Sequence, residues 1–130
     1  MKYVYLFIIA TLLSCSSSKQ FATDVIHYRK SRCLGKCPVF DLYVYDNGKV
    51  IFKGVDHVKV KGEAEYQISE QKVKLLKGEL TRLSSVNPKT QKGRDLPKTI
   101  VSFENRTLTF NGNKDLTVFN ILLKELDVVN

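Results

Sequence analysis

From His57 to Ile68 the chain alternates with a period of two: Val58, Val60, Gly62, Ala64, Tyr66 and Ile68 face one way, and His57, Lys59, Lys61, Glu63, Glu65 and Gln67 the other. Successive side chains of a strand point to opposite faces, so this pattern predicts a long antiparallel strand with one wet face. Val39 to Tyr45 repeats the alternation, with Phe40, Leu42 and Val44 set against Asp41, Tyr43 and Tyr45. Asp46-Asn47-Gly48 supplies residues that tolerate positive φ in a tight hairpin, and Lys49 to Lys53 is the expected return strand. Asp24 to Arg29 is a short extended segment ahead of these. Thr99 to Glu104 and Thr107 to Phe110 read as a second hairpin about Asn105-Arg106.

Elsewhere the period lengthens. Val73, Leu76, Leu80 and Leu83 fall on a single helical stripe. Ser69 can cap this helix, and Glu70 stands in its first turn, where the positive end of the helix dipole favours an anion. Gly78 lies inside it, at a cost of about 1 kcal/mol relative to alanine. A last helix starts near Asp115, after an Asn111-Gly112-Asn113 turn, and shows Leu116, Phe119, Leu122, Leu123 and Leu126 inward. The order β-β-β-β-α-β-β-α predicts an α+β domain: an antiparallel sheet of about six strands with two helices packed on one face. Between the helices, from Ser84 to Lys98, Pro88, Gly93 and Pro97 lie among four basic residues, Lys89, Lys92, Arg94 and Lys98. A loop of that length is commonly functional or disordered.

The N-terminus has a different character. Lys2 precedes an apolar run from Tyr3 to Leu13, too short for the roughly 20 residues that span a bilayer but suited to an export signal. The run ends in Leu12-Leu13-Ser14-Cys15, which resembles the lipobox of bacterial lipoproteins. That resemblance implies cleavage before Cys15 and lipid on its sulfur and on its new amine. Residues 1–14 are then the signal peptide, residues 15–22 the lipidated cysteine and a polar tether, and residues 23–130 a single domain. Two or three acyl chains anchor stably where one is marginal. Ser16 is not the aspartate of an inner-membrane retention signal, and no acidic run follows the cysteine. The expected location is therefore the outer membrane, facing the periplasm.

Removing 14 of 130 residues leaves 116, enough for one domain with a real core but not for two. Loss of Lys2 lowers the formal net charge from +8 to +7. Behind a lipobox a nucleic-acid partner is remote. An envelope protein or an anionic envelope polymer is the expected partner beside the membrane itself, and the plainer alternative is a solvated basic surface that keeps the domain soluble.

With Cys15 assigned to lipid, Cys33 and Cys37 remain, inside Cys33-Leu34-Gly35-Lys36-Cys37-Pro38. Residues four apart in a strand stand roughly 13 Å apart, beyond the Cα separation of about 4.4 to 6.8 Å that a disulfide needs. If the two pair, the segment must turn. Gly35 permits that, and Pro38 can enter the next strand at its first residue. In the oxidising periplasm a small-loop disulfide stapling the entrance of the Val39 to Tyr45 strand is the leading expectation. The Cys-x-Gly-x-Cys-Pro run, the alternating strand and Asp46-Asn47-Gly48 hairpin after it, and Asp95-Leu96-Pro97 further on are together similar to a family of small secreted or lipid-anchored bacterial domains of unknown function. The resemblance covers the chain from about Ile26 onward and implies no activity.

A Cys-x-x-x-Cys-Pro run is also similar to the copper site of the Sco-type thioredoxin-fold chaperones, which implies two thiolates and a histidine, for which His27 and His57 are the only candidates. That motif precedes a helix in a larger fold, whereas a strand follows here. Thiol redox chemistry is the companion alternative, with Arg32 and Lys36 as cationic neighbours. Both histidines otherwise read as sheet-surface residues, and Glu63 and Glu65 as a charge ladder with Lys59 and Lys61. Tyr43 and Tyr45, with Lys89, Lys92 and Arg94, form the candidate binding surface; coverage of a sheet edge is the plainer reading of the tyrosines. There is no Gly-x-Ser-x-Gly, no His-Glu-x-x-His and no phosphate-cradling glycine loop. The expectation is a non-enzymatic binding or scaffolding domain, without cofactor or metal, whose sites are the lipid attachment at Cys15 and a Cys33–Cys37 disulfide.

Overall fold

A computed structural model of the protein describes residues 25–86, 96–111 and 116–130. Six strands and two helices follow one another in the expected order: β1 Val25–Lys30, β2 Val39–Tyr45, β3 Lys49–Asp56, β4 Gly62–Gln67, α1 Glu70–Ser85, β5 Lys98–Phe103, β6 Arg106–Asn111 and α2 Thr117–Glu125. Every strand pair is antiparallel, and the order across the sheet is β4-β3-β2-β1-β5-β6. β1 therefore joins two units, a meander of β1 to β4 on one side and the β5–β6 hairpin on the other. The fold is the α+β class that the periodicity predicts.

The alternation of each strand decides which residues enter the core. Ile26 and Tyr28, Phe40, Leu42 and Val44, Val50 and Phe52, Val101 and Phe103, and Phe110 are all buried on one side of the sheet. Both helices cover that side. Val73, Leu76, Leu80 and Leu83 of α1 and Phe119, Leu122 and Leu123 of α2 enter the same cluster, and the Phe119 ring stacks on Tyr28 with centroids 4.6 Å apart. The α1 cap is the expected one, with Ser69 accepting from the Lys72 amide. α2 begins one residue after Leu116, which is buried at its start although its side chain makes no capping hydrogen bond.

The hairpins follow from local chemistry. Gly48 has φ +82°, and a Cβ there would stand 2.1 Å from the Ile68 carbonyl oxygen, so glycine alone fits the turn between β2 and β3. Glu104 and Asn105, both with positive φ, close the β5–β6 turn, one residue earlier than expected.

One expectation is corrected. His57 to Ile68 is not a single long strand: β3 runs on to Asp56, and residues 57–61 turn back before β4 starts at Gly62. His57 (φ 50°) and Gly62 (φ 85°) bracket that turn. The alternation survives across it because Val58 still points into the core, while the Lys59 and Val60 amides bond to the Val128 carbonyl instead of to a strand. A period of two reports which side chains are covered and is blind to a turn that preserves their parity. The partners of the charge ladder change with it. Glu63 and Glu65 face β3 and pair with Lys53 and Lys49, and Lys59 pairs with Asp127 near the C-terminus.

The turn lies so close over β3 that a Cβ on Gly54 would stand 1.9 Å from the Val60 carbonyl oxygen, whereas a Cβ on Gly78 in α1 would meet nothing within 4 Å. Gly54→Ala is expected to destabilise the domain by about 2 kcal/mol or more through that backbone clash. Gly78→Ala should stabilise it by about 0.5–1 kcal/mol by helix propensity alone. Urea unfolding of both variants checks the pair; equal effects of the same sign would contradict this packing.

Candidate functional site

The side of the sheet that none of the described elements covers collects polar residues from five strands in register. His27 of β1 stands opposite Tyr43 of β2 and Ser102 of β5, and Arg29 stands opposite Asp41 and Ile100. Directly opposed residues of an antiparallel pair place their side chains on the same face within contact range. The His27 imidazole accordingly lies flat on the Tyr43 ring, with centroids 4.4 Å apart and planes 3° from parallel. Asp41 Oδ1 lies 2.6 Å from His27 Nε2 and 3.0 Å from Arg29 Nε. As a carboxylate only accepts, His27 carries its proton on Nε2 and both neighbours donate. Asp41 is about 16% exposed, so a half-sunken carboxylate fixes an imidazole and a guanidinium on either side of it.

Lys53 of β3 extends the group. Its ammonium lies 5.7 Å from the centre of the Tyr43 ring and 3.0 Å from Glu63, whose hydrogen bond and charge raise the Lys53 pKa above its ordinary value. Lys49 and Glu65 pair in the next row at 3.2 Å. Arg29, Lys49 and Lys53 are thus each matched by a carboxylate, and Tyr43, Tyr45 and Ile51 share the face with them.

The second locus is the connection between β1 and β2. Cys33 and Cys37 stand at disulfide distance, with Cα atoms 5.9 Å apart, so the segment does turn. A register shift between Val39 and Phe40 against β3 brings Asp56 opposite Val39, within reach of this loop. Asp56 Oδ2 lies 3.5 Å from Arg32 Nη1 and 3.4 Å from His57 Nδ1. Both cysteines, Gly35, Arg32, Asp56 and His57 line one small recess. The Gly35 amide donates to Cys33 Sγ over 3.2 Å.

Of the residues singled out from sequence, Tyr43 and Tyr45 share the uncovered face, and His27 is the sheet-surface residue expected. His57 is not: it sits in the turn after β3, beside the disulfide. Cys15, Lys89, Lys92 and Arg94 lie outside the described residues. The group of His27, Arg29, Asp41 and Lys53 was not singled out, because each strand's parity is readable alone but its register with the next strand is not. A short β1–β2 connection ending at Pro38 is the one signal that could have paired Lys30 with Phe40 and so His27 with Tyr43. A third feature lies on the helical side, where Leu75 and Ile121, both more than half exposed, flank an apolar groove between α1 and α2 bridged by Lys72 and Glu125.

A model of the DUF6438 family, described as a domain of unknown function, matches residues 24–126. The chain belongs to that family. The DUF6438 match contains both loci and both helices and leaves Cys15 outside it. No curated protein and no solved structure matches the chain. Family membership thus supplies no chemistry for the DUF6438 domain, and its role rests on the geometry above.

Asp41→Ala removes the acceptor that His27 and Arg29 share. The expected cost is about 1 kcal/mol, together with loss of the Tyr43 ring-current shift on the His27 ring protons in NMR spectra. An unchanged His27 environment would show that Asp41 does not hold the stack.

Proposed function

We propose that the protein is a lipid-anchored cell-envelope domain without catalytic activity that docks another envelope protein on the uncovered face of its sheet. The observation that carries the docking face is the fixed cluster of His27, Arg29, Asp41 and Tyr43. These side chains are held in place by one another with no covering layer among the described residues, so little side-chain entropy remains to be lost when a partner binds. Tyrosine and arginine are the residue types that anchor protein interfaces. The charge balance favours a protein over an anionic polymer. Each of Arg29, Lys49 and Lys53 already has its carboxylate, so a polyanion would have to break three pairs, whereas a mixed aromatic and polar protein surface can lie over them intact.

The anchor reading rests on Lys2, the apolar run to Leu13, and Leu12-Leu13-Ser14-Cys15. Acylated at Cys15, the chain reaches the sheet at Val25, which pairs with Tyr45. Ten residues span at most about 35 Å, which keeps the Tyr45 end of the docking face close to the periplasmic leaflet of the outer membrane. The partner is then a protein of that membrane or its periplasmic surface.

Two measurements test the reading. The protein extracted from its native membrane should have the intact mass of a chain beginning at Cys15 with added acyl groups; an unacylated chain overturns the anchor. A photo-crosslinking side chain at Tyr45 should give one discrete adduct in intact cells. That adduct should be reduced about tenfold or more by Tyr43→Ala, on the scale of an interface anchor, and a crosslinker at Leu75 on the helical side should not produce it. An adduct from Leu75 alone, or one from Tyr45 indifferent to Tyr43→Ala, overturns the docking face.

A further inference from the structure

We infer that Cys33–Cys37 is a site of thiol–disulfide exchange with a protein dithiol, in which Cys37 is the sulfur attacked and Cys33 the sulfur that leaves. This inference is independent of the docking face and of the lipid anchor.

The disulfide is placed where the fold does not depend on it. It closes a loop within the β1–β2 connection, and the two ends of that connection are already held, because β1 pairs with β2 along its whole length up to Lys30 opposite Phe40. Ser31 is tied independently to β5: its amide donates to the Lys98 carbonyl at 2.9 Å, and its hydroxyl accepts from the Lys98 amide at 2.9 Å. The entropic gain from a cross-link grows with the loop it closes, and a separation of four residues is near the short limit. The bond can open and re-form while the ladder on either side stays intact. A disulfide that staples distant segments does not have that freedom.

The sulfurs are also accessible and unequal. Both cysteines are partly exposed, and Leu34, Gly35 and Lys36 between them are exposed, so the loop that carries the sulfurs faces outward among the described residues. The Gly35 N–H points at Cys33 Sγ, and no hydrogen bond of that kind reaches Cys37 Sγ from among the described residues. A hydrogen bond to a sulfur strengthens as that sulfur gains negative charge, so it favours the state in which Cys33 is a thiolate. Arg32, next in sequence to Cys33, is paired with Asp56, and both line the recess with the two sulfurs, so their charges offset one another and the Gly35 amide carries the difference between Cys33 and Cys37. Exchange rates rise as the leaving sulfur becomes a better thiolate.

The step balances without a further reagent. A thiolate of the partner dithiol attacks Cys37 Sγ and forms a new S–S bond; the Cys33–Cys37 bond breaks, and its electron pair leaves on Cys33. The partner's second thiolate then attacks the mixed disulfide at the partner's own sulfur and releases Cys37. The partner is oxidised to a disulfide, this domain is reduced by two electrons, and the two protons lost by the partner's thiols end on Cys33 and Cys37. The reverse sequence oxidises the domain.

The test uses the full chain in its oxidised form with reduced glutathione as the probe thiol and iodoacetamide present to trap the leaving sulfur, followed by digestion without reductant and mass mapping. Glutathione is expected on Cys37 with the carbamidomethyl group on Cys33, at least about fivefold over the opposite arrangement, the scale of one charge-assisted hydrogen bond. Gly35→Ala keeps the amide donor, and its Cβ would stand 3.8 Å from Cys33 Sγ, an ordinary contact; the preference should persist. Gly35→Pro lacks the donor and should bring the two arrangements toward equality. A preference for Cys33 as the attacked sulfur overturns the direction. Absence of any glutathione adduct until the chain is unfolded by denaturant overturns the exchange site itself.

Discussion

The antiparallel pairing of β1 with β2 is the interaction on which the rest of the structure depends. It is the centre of the sheet, and among the described residues β1 also carries the only strand pairing that joins the meander to the β5–β6 hairpin. The same six register positions decide both faces at once. On the covered side they bring Ile26, Tyr28, Phe40, Leu42 and Val44 under the two helices, and on the uncovered side they bring His27 over Tyr43 and set Asp41 between His27 and Arg29. A slip of one residue would exchange the faces, burying Asp41 and exposing Phe40. The hydrophobic core and the candidate docking face are therefore two consequences of one register.

That register also explains why the cysteine loop is chemically separable from the fold. The loop leaves β1 and enters β2 between residues that the ladder already fixes, and Asp56 reaches it only because the β2–β3 register shifts at that end of the sheet. The recess beside the sulfurs is thus built by neighbouring strands, and the sulfurs are suspended on its rim. A loop carried by a rigid scaffold is a common place for function, and here the scaffold is the strand pair itself.

Much of this was legible in the sequence, for physical reasons that differ from element to element. The class, the order of elements and the α1 stripe of Val73, Leu76, Leu80 and Leu83 could be read because burial imposes a period on each element separately. The His57 to Ile68 strand was misread as continuous because the turn at 57–61 keeps Val58 on the covered side. The disulfide spacing was readable as a requirement to turn. The place of His57 beside the sulfurs and the cluster at Asp41 were not, since both arise from the register between strands, a property that no single strand's pattern encodes. Cys15 and the basic residues Lys89, Lys92 and Arg94 lie outside the described residues and remain readings of the sequence.

Native-state hydrogen exchange of the oxidised and the reduced protein, compared residue by residue, tests most directly whether strand pairing and not the disulfide holds the centre of the molecule. The account predicts that the amides of Val25–Ser31 and Val39–Tyr45 keep their protection on reduction, and that any change is confined to residues 32–37. Loss of protection throughout β1 and β2 when Cys33 and Cys37 are reduced would contradict it.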